Sequence, residues 1–227
     1  MQLRTFLAAS AAVLLVGAAL PAAASTSVIT SAPAGSTFVA FPVLNYFGPG
    51  PQTFGGDITW SSTNASTQGG SVFGYNGGYG FDSNGFSSDN LVGLNDSSHV
   101  YGISPDSMEF DFSTAVSAVG GVLNWVPDNG DTVTISAFDA GNNLLGSLQL
   151  AAGGANSVTP DSFYGFQSST ADISRFVLTD GYVAVLDGLS VGGGGAVPEP
   201  ATWALSILGF FGAGSMLRRR RTVAVAA

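Results

Sequence analysis

Between residues 36 and 191 the chain has no long segment in which apolar residues recur at helical spacing. Short runs of β-branched and aromatic residues are instead separated by clusters of Gly, Asn, Asp, Ser and Pro. Met108 to Phe112 alternates apolar and acidic residues, as a strand with one solvated face does. Turn sequences at 128–131 and 139–142 separate such runs. The pattern predicts an all-β fold, an antiparallel, jelly-roll-like β-sandwich over residues 25–191.

Further apolar runs are expected to form other strands of this domain, and residues 25–107 are expected to supply more of its strands and loops. In the last run, Val183, Val185, Leu189 and Val191 are expected to share one face, with Asp187 interrupting it. The other runs span 38–47, 116–126, 132–136, 144–150, 163–167 and 173–178.

The chain contains no cysteine, which excludes disulfides, thiolate zinc sites and cysteine nucleophiles. Its six basic residues are all arginines, against 15 acidic residues, for a formal net charge of −9. Residues 25–197 hold 14 acidic residues and one base, Arg175, a formal net charge of −13. A protein of this charge has no basic surface for phosphates, so nucleic acid is not an expected partner, whereas divalent cations are favoured.

Residues 1–24 are predicted to be a secretory signal peptide. Arg4 supplies the positive start, and 6–20 is an apolar run that ends at Pro21, too short for a permanent membrane anchor. The small residues that mark the cleavage site are Ala22, Ala24 and Ser25.

The other end of the chain has four successive parts. A glycine linker, 192–196, precedes a proline-bracketed segment, 197–200, which cannot enter a helix. An uncharged, mostly apolar segment, 201–217, would span roughly 26 Å as a helix and is predicted to cross the membrane. The arginines at 218–221 follow at once and are expected to stay in the cytoplasm, with the acidic domain on the outer side.

This tail resembles the PEP-CTERM sorting signal, in the variety with Trp and Ala after the Pro-Glu-Pro string. It is also similar to the segment called an ice-binding-protein C-terminal domain. The resemblance covers 197–221. The residues that carry it are Val197, Pro198, Glu199, Pro200, Trp203, Arg218, Arg219, Arg220 and Arg221.

The resemblance implies a Gram-negative bacterial protein exported by the secretion machinery. It implies that the tail is a transient inner-membrane anchor, removed by an exosortase, and that the product joins the cell surface or an exopolysaccharide matrix. Residues 108–191 also resemble the body of many PEP-CTERM proteins, which implies a sandwich similar to carbohydrate-binding modules.

Residues 69–86 form a low-complexity segment with scattered aromatic residues. One interpretation is a loop that stacks aromatic rings on sugars, and the other is a surface loop that tucks them into the sandwich edge. The aromatic residues are Phe73, Tyr75, Tyr79, Phe81 and Phe86.

The acidic residues allow two kinds of site. Glu109 and Asp111 are expected on one face of a strand, about 7 Å apart. That distance suits an inverting glycosidase, but such a pair lies across a cleft, so a solvated strand face is the simpler interpretation. A Ser-His-Asp catalytic triad would need the one histidine, His99, but no G-x-S-x-G motif marks a nucleophilic serine. His99 is therefore expected to lie in a loop.

A calcium site is the second kind. The turn residues Asp128, Asn129 and Asp131 offer oxygen ligands of the type that calcium prefers, although turn formation alone explains them. Further carboxylates that could complete the site are Asp106, Asp180 and Asp187. The glycosylation acceptor patterns at Asn64 and Asn95 are expected to be chance matches in a bacterial protein.

Taken together, the sequence predicts an exported, non-enzymatic surface or matrix protein that needs no cofactor. A polysaccharide-active enzyme and a calcium-dependent carbohydrate-binding module remain the alternatives.

Overall fold

A computed structural model of the chain describes residues 25–78, 90–95, 106–126, 132–151, 162–179, 183–192 and 207–210. Within these ranges most residues lie in β-strands, and every strand pair is antiparallel. The strands are β1 (Thr26–Ile29), β2 (Ser36–Val39), β3 (Tyr46–Phe47), β4 (Gln52–Phe54), β5 (Ile58–Ser62), β6 (Ser71–Tyr75), β7 (Leu91–Asn95), β8 (Ser107–Val116), β9 (Ala118–Val126), β10 (Thr134–Phe138), β11 (Leu144–Gln149), β12 (Ser162–Ser168), β13 (Ile173–Thr179), β14 (Val183–Leu186) and β15 (Leu189–Gly192).

The strands form two sheets. The nine-stranded sheet has the order β1-β12-β9-β14-β7-β6-β3, with β15 pairing both β9 and β2. The six-stranded sheet has the order β11-β10-β13-β8-β5-β4. The all-β, antiparallel prediction is therefore confirmed.

One apolar core joins the two sheets. Phe73 of the nine-stranded sheet lies 5.2 Å, between ring centroids, from both Phe54 and Trp60 of the six-stranded sheet. At the other end, Phe166 and Phe176 make a similar contact at 6.4 Å. Such aromatic pairs bury large apolar areas, which a chain without disulfides needs.

The outer sides of the two sheets differ. The nine-stranded sheet carries a second buried cluster on its outer side, formed by Val72, Leu91, Val126, Val183 and Val185. The outer side of the six-stranded sheet consists instead mainly of half-buried polar residues, with Val177 and Phe138 among them, because alternate residues of β5, β8, β10 and β13 point away from the core. This side is therefore the more polar of the two outer sheet faces in the part of the chain that is described.

Two strand predictions require correction. The run 38–47 is two short strands, because Pro42 and the left-handed Asn45 (φ 48°) lie between them. The run 183–191 is also two strands, separated by Gly188 (φ 82°).

As a result, the residues of the second run do not share one face. Val183 and Val185 belong to the outer cluster, whereas Leu189 belongs to the core between the sheets.

Every strand and every core residue of the described chain lies between Thr26 and Gly192. Residues 25–196 therefore contain every core residue of the described chain and can be tested as a unit. Residues 207–210 form a single helical turn. None of the described helical residues belongs to a helix long and apolar enough to cross a membrane.

Candidate functional site

The exposed side of the six-stranded sheet, called here the polar face, is arranged in rows across the strands. Strand register places Thr53, Thr59, Asp111, Arg175 and Phe138 in one row, in that order. These residues come from β4, β5, β8, β13 and β10, so each is one strand spacing, about 4.8 Å, from the next.

A second row runs parallel to the first. It consists of Ser61, Glu109, Val177, Ser136 and Ser147. Ser136 and Ser147 pair through their hydroxyls at 3.1 Å, and Ser61 donates to Glu109 Oε1 at 3.1 Å. The two rows together place hydroxyl side chains on both sides of a central group of charged residues, with Val177 and Phe138 as the apolar members.

Arg175 is the centre of the polar face. Its Nε donates to Asp111 Oδ1 at 2.7 Å and lies 3.5 Å from Glu109 Oε2. Its Nη1 donates to Asn142 Oδ1 at 3.2 Å. The hydrogen bond to Asp111 raises the pKa of Arg175, and partial burial opposes that rise. The guanidinium is thus a fixed, permanently charged group with three partners.

The turn between β10 and β11 places Asn142 beside Arg175. Asn142 has a left-handed backbone (φ 63°), which asparagine tolerates better than most residues. The turn is held by Asp139, whose carboxylate accepts from the Asn143 backbone N at 2.8 Å and from its side-chain amide at 2.8 and 3.1 Å. These bonds, the side-chain bond first, lower the pKa of Asp139. The turn predicted at 139–142 is confirmed.

The two carboxylates of β8 lie on one solvated face, as predicted. The side chains of Glu109 and Asp111 are 34% and 40% exposed, and the residues between and beside them are buried. Both carboxylates lie close to the same cation, Arg175, an ion pairing that the sequence did not predict. The signal available was that Arg175 is the one base among residues 25–197.

The aromatic segment is partly a strand and not the continuous loop expected. Phe73 lies in β6 and is fully buried between Phe54 and Trp60, so it does not face a ligand. Tyr75, at the end of the same strand, packs edge-on against Phe47 at 5.4 Å. The interpretation that aromatic residues tuck into the sandwich is confirmed for Phe73.

Asn64, one of the two glycosylation matches, is a structural residue. Asn64 is only 7% exposed, and its Nδ2 donates to Asp106 Oδ2 at 2.6 Å. Asn64 Oδ1 accepts from the Ser66 backbone N at 3.0 Å. Nδ2 also donates to the Asn95 carbonyl at 3.4 Å, so a sugar attached there would remove one of two hydrogens that are both in use.

Of the carboxylates considered for calcium, the structure describes two. Asp106 accepts hydrogen bonds from Asn64 and Thr63, and Asp187 lies between β14 and β15, where its backbone N donates to Val122 O. Within the described ranges, no three acidic or histidine residues are grouped as metal ligands. Asp128, Asn129, Asp131 and Asp180 lie outside those ranges.

Several other predicted sites also lie outside the described residues. Ser25, the first residue after the predicted signal cleavage, is described. Its backbone N donates to Ser169 Oγ at 3.1 Å, and its carbonyl accepts from the Ser169 backbone N at 3.0 Å. The sites outside are His99, Ala22, Ala24, Tyr79, Phe81, Phe86, Val197, Pro198, Glu199, Pro200, Trp203 and Arg218 to Arg221.

Comparison with known proteins adds nothing to the fold described above. No protein-family model matches the chain, and no curated protein matches it. A solved structure with some likeness is the K1 cleaved adhesin domain of Lys-gingipain from Porphyromonas gingivalis W83. The two are 12% identical, with a TM-score of 0.34, over 75% of this chain and 99% of the adhesin domain. At that TM-score the likeness carries no argument about fold or function.

Proposed function

We propose that the chain is an exported, non-enzymatic protein of the cell surface or the extracellular polymer matrix. A signal peptide, 1–24, directs export, and a PEP-CTERM-type tail, 197–221, holds the precursor in the inner membrane through 201–217. An exosortase then cuts the tail and releases the acidic domain to the exopolysaccharide. The observation that carries this proposal is the order Pro-Glu-Pro, apolar span and arginine cluster in the tail.

The position of the domain between the two end segments supports this proposal. Every described strand lies between Thr26 and Gly192. Removal of 1–24 and of the tail therefore takes away none of the described strands and none of the described core side chains. A protein sorted by two removable signals needs a domain that stays folded after both cuts.

We further propose that the domain is a jelly-roll-like sandwich. Neighbouring strands are often distant in sequence, as with β1 and β12, β9 and β14, or β5 and β8. Long connections that return to an earlier strand are a feature of Greek-key and jelly-roll topologies. This topology also leaves a broad sheet face available for a polymer.

The alternative of a polysaccharide hydrolase has less support. Glu109 and Asp111 are on one strand, on one face, and share Arg175. A glycosidase needs its two carboxyls on opposite sides of the scissile bond. A sugar resting on this face would have both groups on the same side.

The proposal is tested by the fate of the tail in cells that carry an exosortase. Glu199→Ala leaves the apolar span and the arginines unchanged, so insertion is expected to be normal while cleavage is lost. Ser206→Ala, within the span, is the matched control and is expected to be cut normally. Mass spectrometry of the membrane and released fractions would identify the carboxyl terminus in each.

The wild-type protein is expected to end near 197–200 in the released fraction. A mature wild-type protein that keeps residues 218–227 would show that the tail is a plain anchor and would overturn the proposal.

A further inference from the structure

We infer that the polar face binds an uncharged polysaccharide, with Arg175 and Asp111 as its hydrogen-bonding groups and Phe138 as its stacking surface. The inference rests on the proposed matrix function and names the site and the ligand class for it.

The first argument is the hydrogen-bonding capacity left on the face. Arg175 uses Nε for Asp111 and Nη1 for Asn142, and within the described residues Nη2 has no protein acceptor. Asp111 accepts through Oδ1, and its Oδ2 has no donor among the described residues. A free donor and a free acceptor therefore stand on neighbouring strands, so one sugar can accept a hydrogen bond from Nη2 and donate one to Oδ2 through different hydroxyls.

The second argument is the position of Phe138. It is the next residue in the row after Arg175 and points away from the core, because its neighbour Ala137 is fully buried. The exposed Leu144 pairs with it on the edge strand. A sugar ring has an apolar C–H face and a rim of hydroxyls, so it can stack on Phe138 while its rim reaches Arg175.

The third argument is that the groups are already held in place. Asp111 on β8 and Asn142 in the turn after β10 both hold the guanidinium of Arg175 in place. Ligand binding would therefore restrict few additional side-chain rotamers. Flexible arginines at a surface lose that entropy when a ligand binds. The row from Asp111 to Phe138 covers two strand spacings, about 10 Å, which is enough for two sugar units.

Charge decides the class of polysaccharide. Residues 25–197 carry a formal charge of −13, and their single base is already paired with two carboxylates. An anionic polymer, such as a uronate, would be repelled by this surface. An uncharged polymer meets no such cost and uses the hydroxyl rows around the centre.

The test uses purified residues 25–196 in native gels that contain one of three neutral polymers, hydroxyethylcellulose, galactomannan or dextran. Alginate serves as the anionic comparison. Retardation of the wild-type protein by at least one neutral polymer, and by alginate not at all, is expected. Retardation by none of the three, or by alginate as strongly, would overturn the inference.

Three variants locate the binding surface. Phe138→Ala and Arg175→Met are each expected to weaken the polymer Kd about tenfold or more, since Met keeps the apolar stem but none of the donors. Phe38→Ala removes an aromatic side chain that is 59% exposed on the nine-stranded sheet and is expected to leave Kd unchanged. Circular dichroism would check that all three are folded.

The variants also separate this inference from the proposed function. If Phe38→Ala weakens binding as much as Phe138→Ala, or if Arg175→Met binds like wild type, the site is wrong. Export and tail cleavage would stand in either case, because mass spectrometry of the membrane and released fractions measures them separately.

Discussion

Replacing each of the two buried tryptophans by phenylalanine tests how the core satisfies its polar atoms. Trp60 is fully buried, and its Nε1 has no hydrogen-bond partner within the described chain. Trp125 is 2% exposed, and its Nε1 donates to the Ala151 carbonyl at 3.1 Å. The two substitutions remove the same atoms, but only Trp125→Phe also removes a hydrogen bond.

The expected costs follow from the atoms removed. An indole exceeds a phenyl ring by roughly 50 Å² of buried area, or about 1.2 kcal/mol at 25 cal/mol per Å². A residual cavity of roughly 40 Å³ adds about 1 kcal/mol. Trp60→Phe also removes an unsatisfied buried donor, which relieves about 1–3 kcal/mol, so its net effect is expected within about 1 kcal/mol of zero.

Trp125→Phe has no such relief. It loses a hydrogen bond worth about 1 kcal/mol, and the exposed Ala151 carbonyl is left to water. Its total cost is therefore about 3 kcal/mol. For a domain of this size the two variants should differ in Tm by about 5 °C or more.

The measurement is urea and thermal unfolding of residues 25–196, followed by far-ultraviolet circular dichroism because the substitutions alter tryptophan fluorescence. Both variants should unfold with the wild-type m value. Equal destabilisation by the two substitutions would mean that the Trp60 N–H is satisfied in solution, and the account of its burial would be wrong.

Three further outcomes are expected. Gly165→Ala should destabilise the domain by about 3 kcal/mol in the same urea assay, because a Cβ there would collide with the backbone of Val119 in the neighbouring strand. The pKa of Asp139 is lowered, so its hydrogen bonds to Asn143 stabilise the folded state fully above pH 3.8. That stabilisation is lost as the pH falls through the folded-state pKa, so the difference in unfolding free energy between wild type and Asp139→Asn should shrink in acid. Millimolar calcium should raise the Tm of residues 25–196 more than magnesium does if the turn 128–131 binds it, whereas equal shifts would indicate only screening of charge.

The sequence predicts strands best where one face is wet. In β8 and β10, buried residues alternate with half-buried ones, and both were found from their period of two. In β6 and β7, four of five residues are buried, so no alternation exists to be read, and both strands were missed. Burial on both faces removes the sequence signal for a strand.

The candidate site is harder to predict than the fold because strand pairing assembles it. Arg175 and Asp111 are 64 residues apart and meet only because β13 pairs with β8 in one register. A slip of one residue would turn Arg175 toward the core. Composition did contain a partial clue, since a single base in so acidic a domain is expected to find a carboxylate.

The contrast between the two sheets explains why a ligand would meet the polar face. The nine-stranded sheet has apolar side chains on both sides, so most of its surface is already buried. The second side of the six-stranded sheet is lined mainly with Ser, Thr and one charged cluster. Hydrogen bonds to a hydroxyl-rich ligand can replace the hydrogen bonds that these groups make to water, and polar groups on a sheet do not promote aggregation. Because neither end segment contributes a described strand, cleavage at both ends would leave this face unchanged. The polar face would then present the same groups on the membrane-bound precursor and on the released domain.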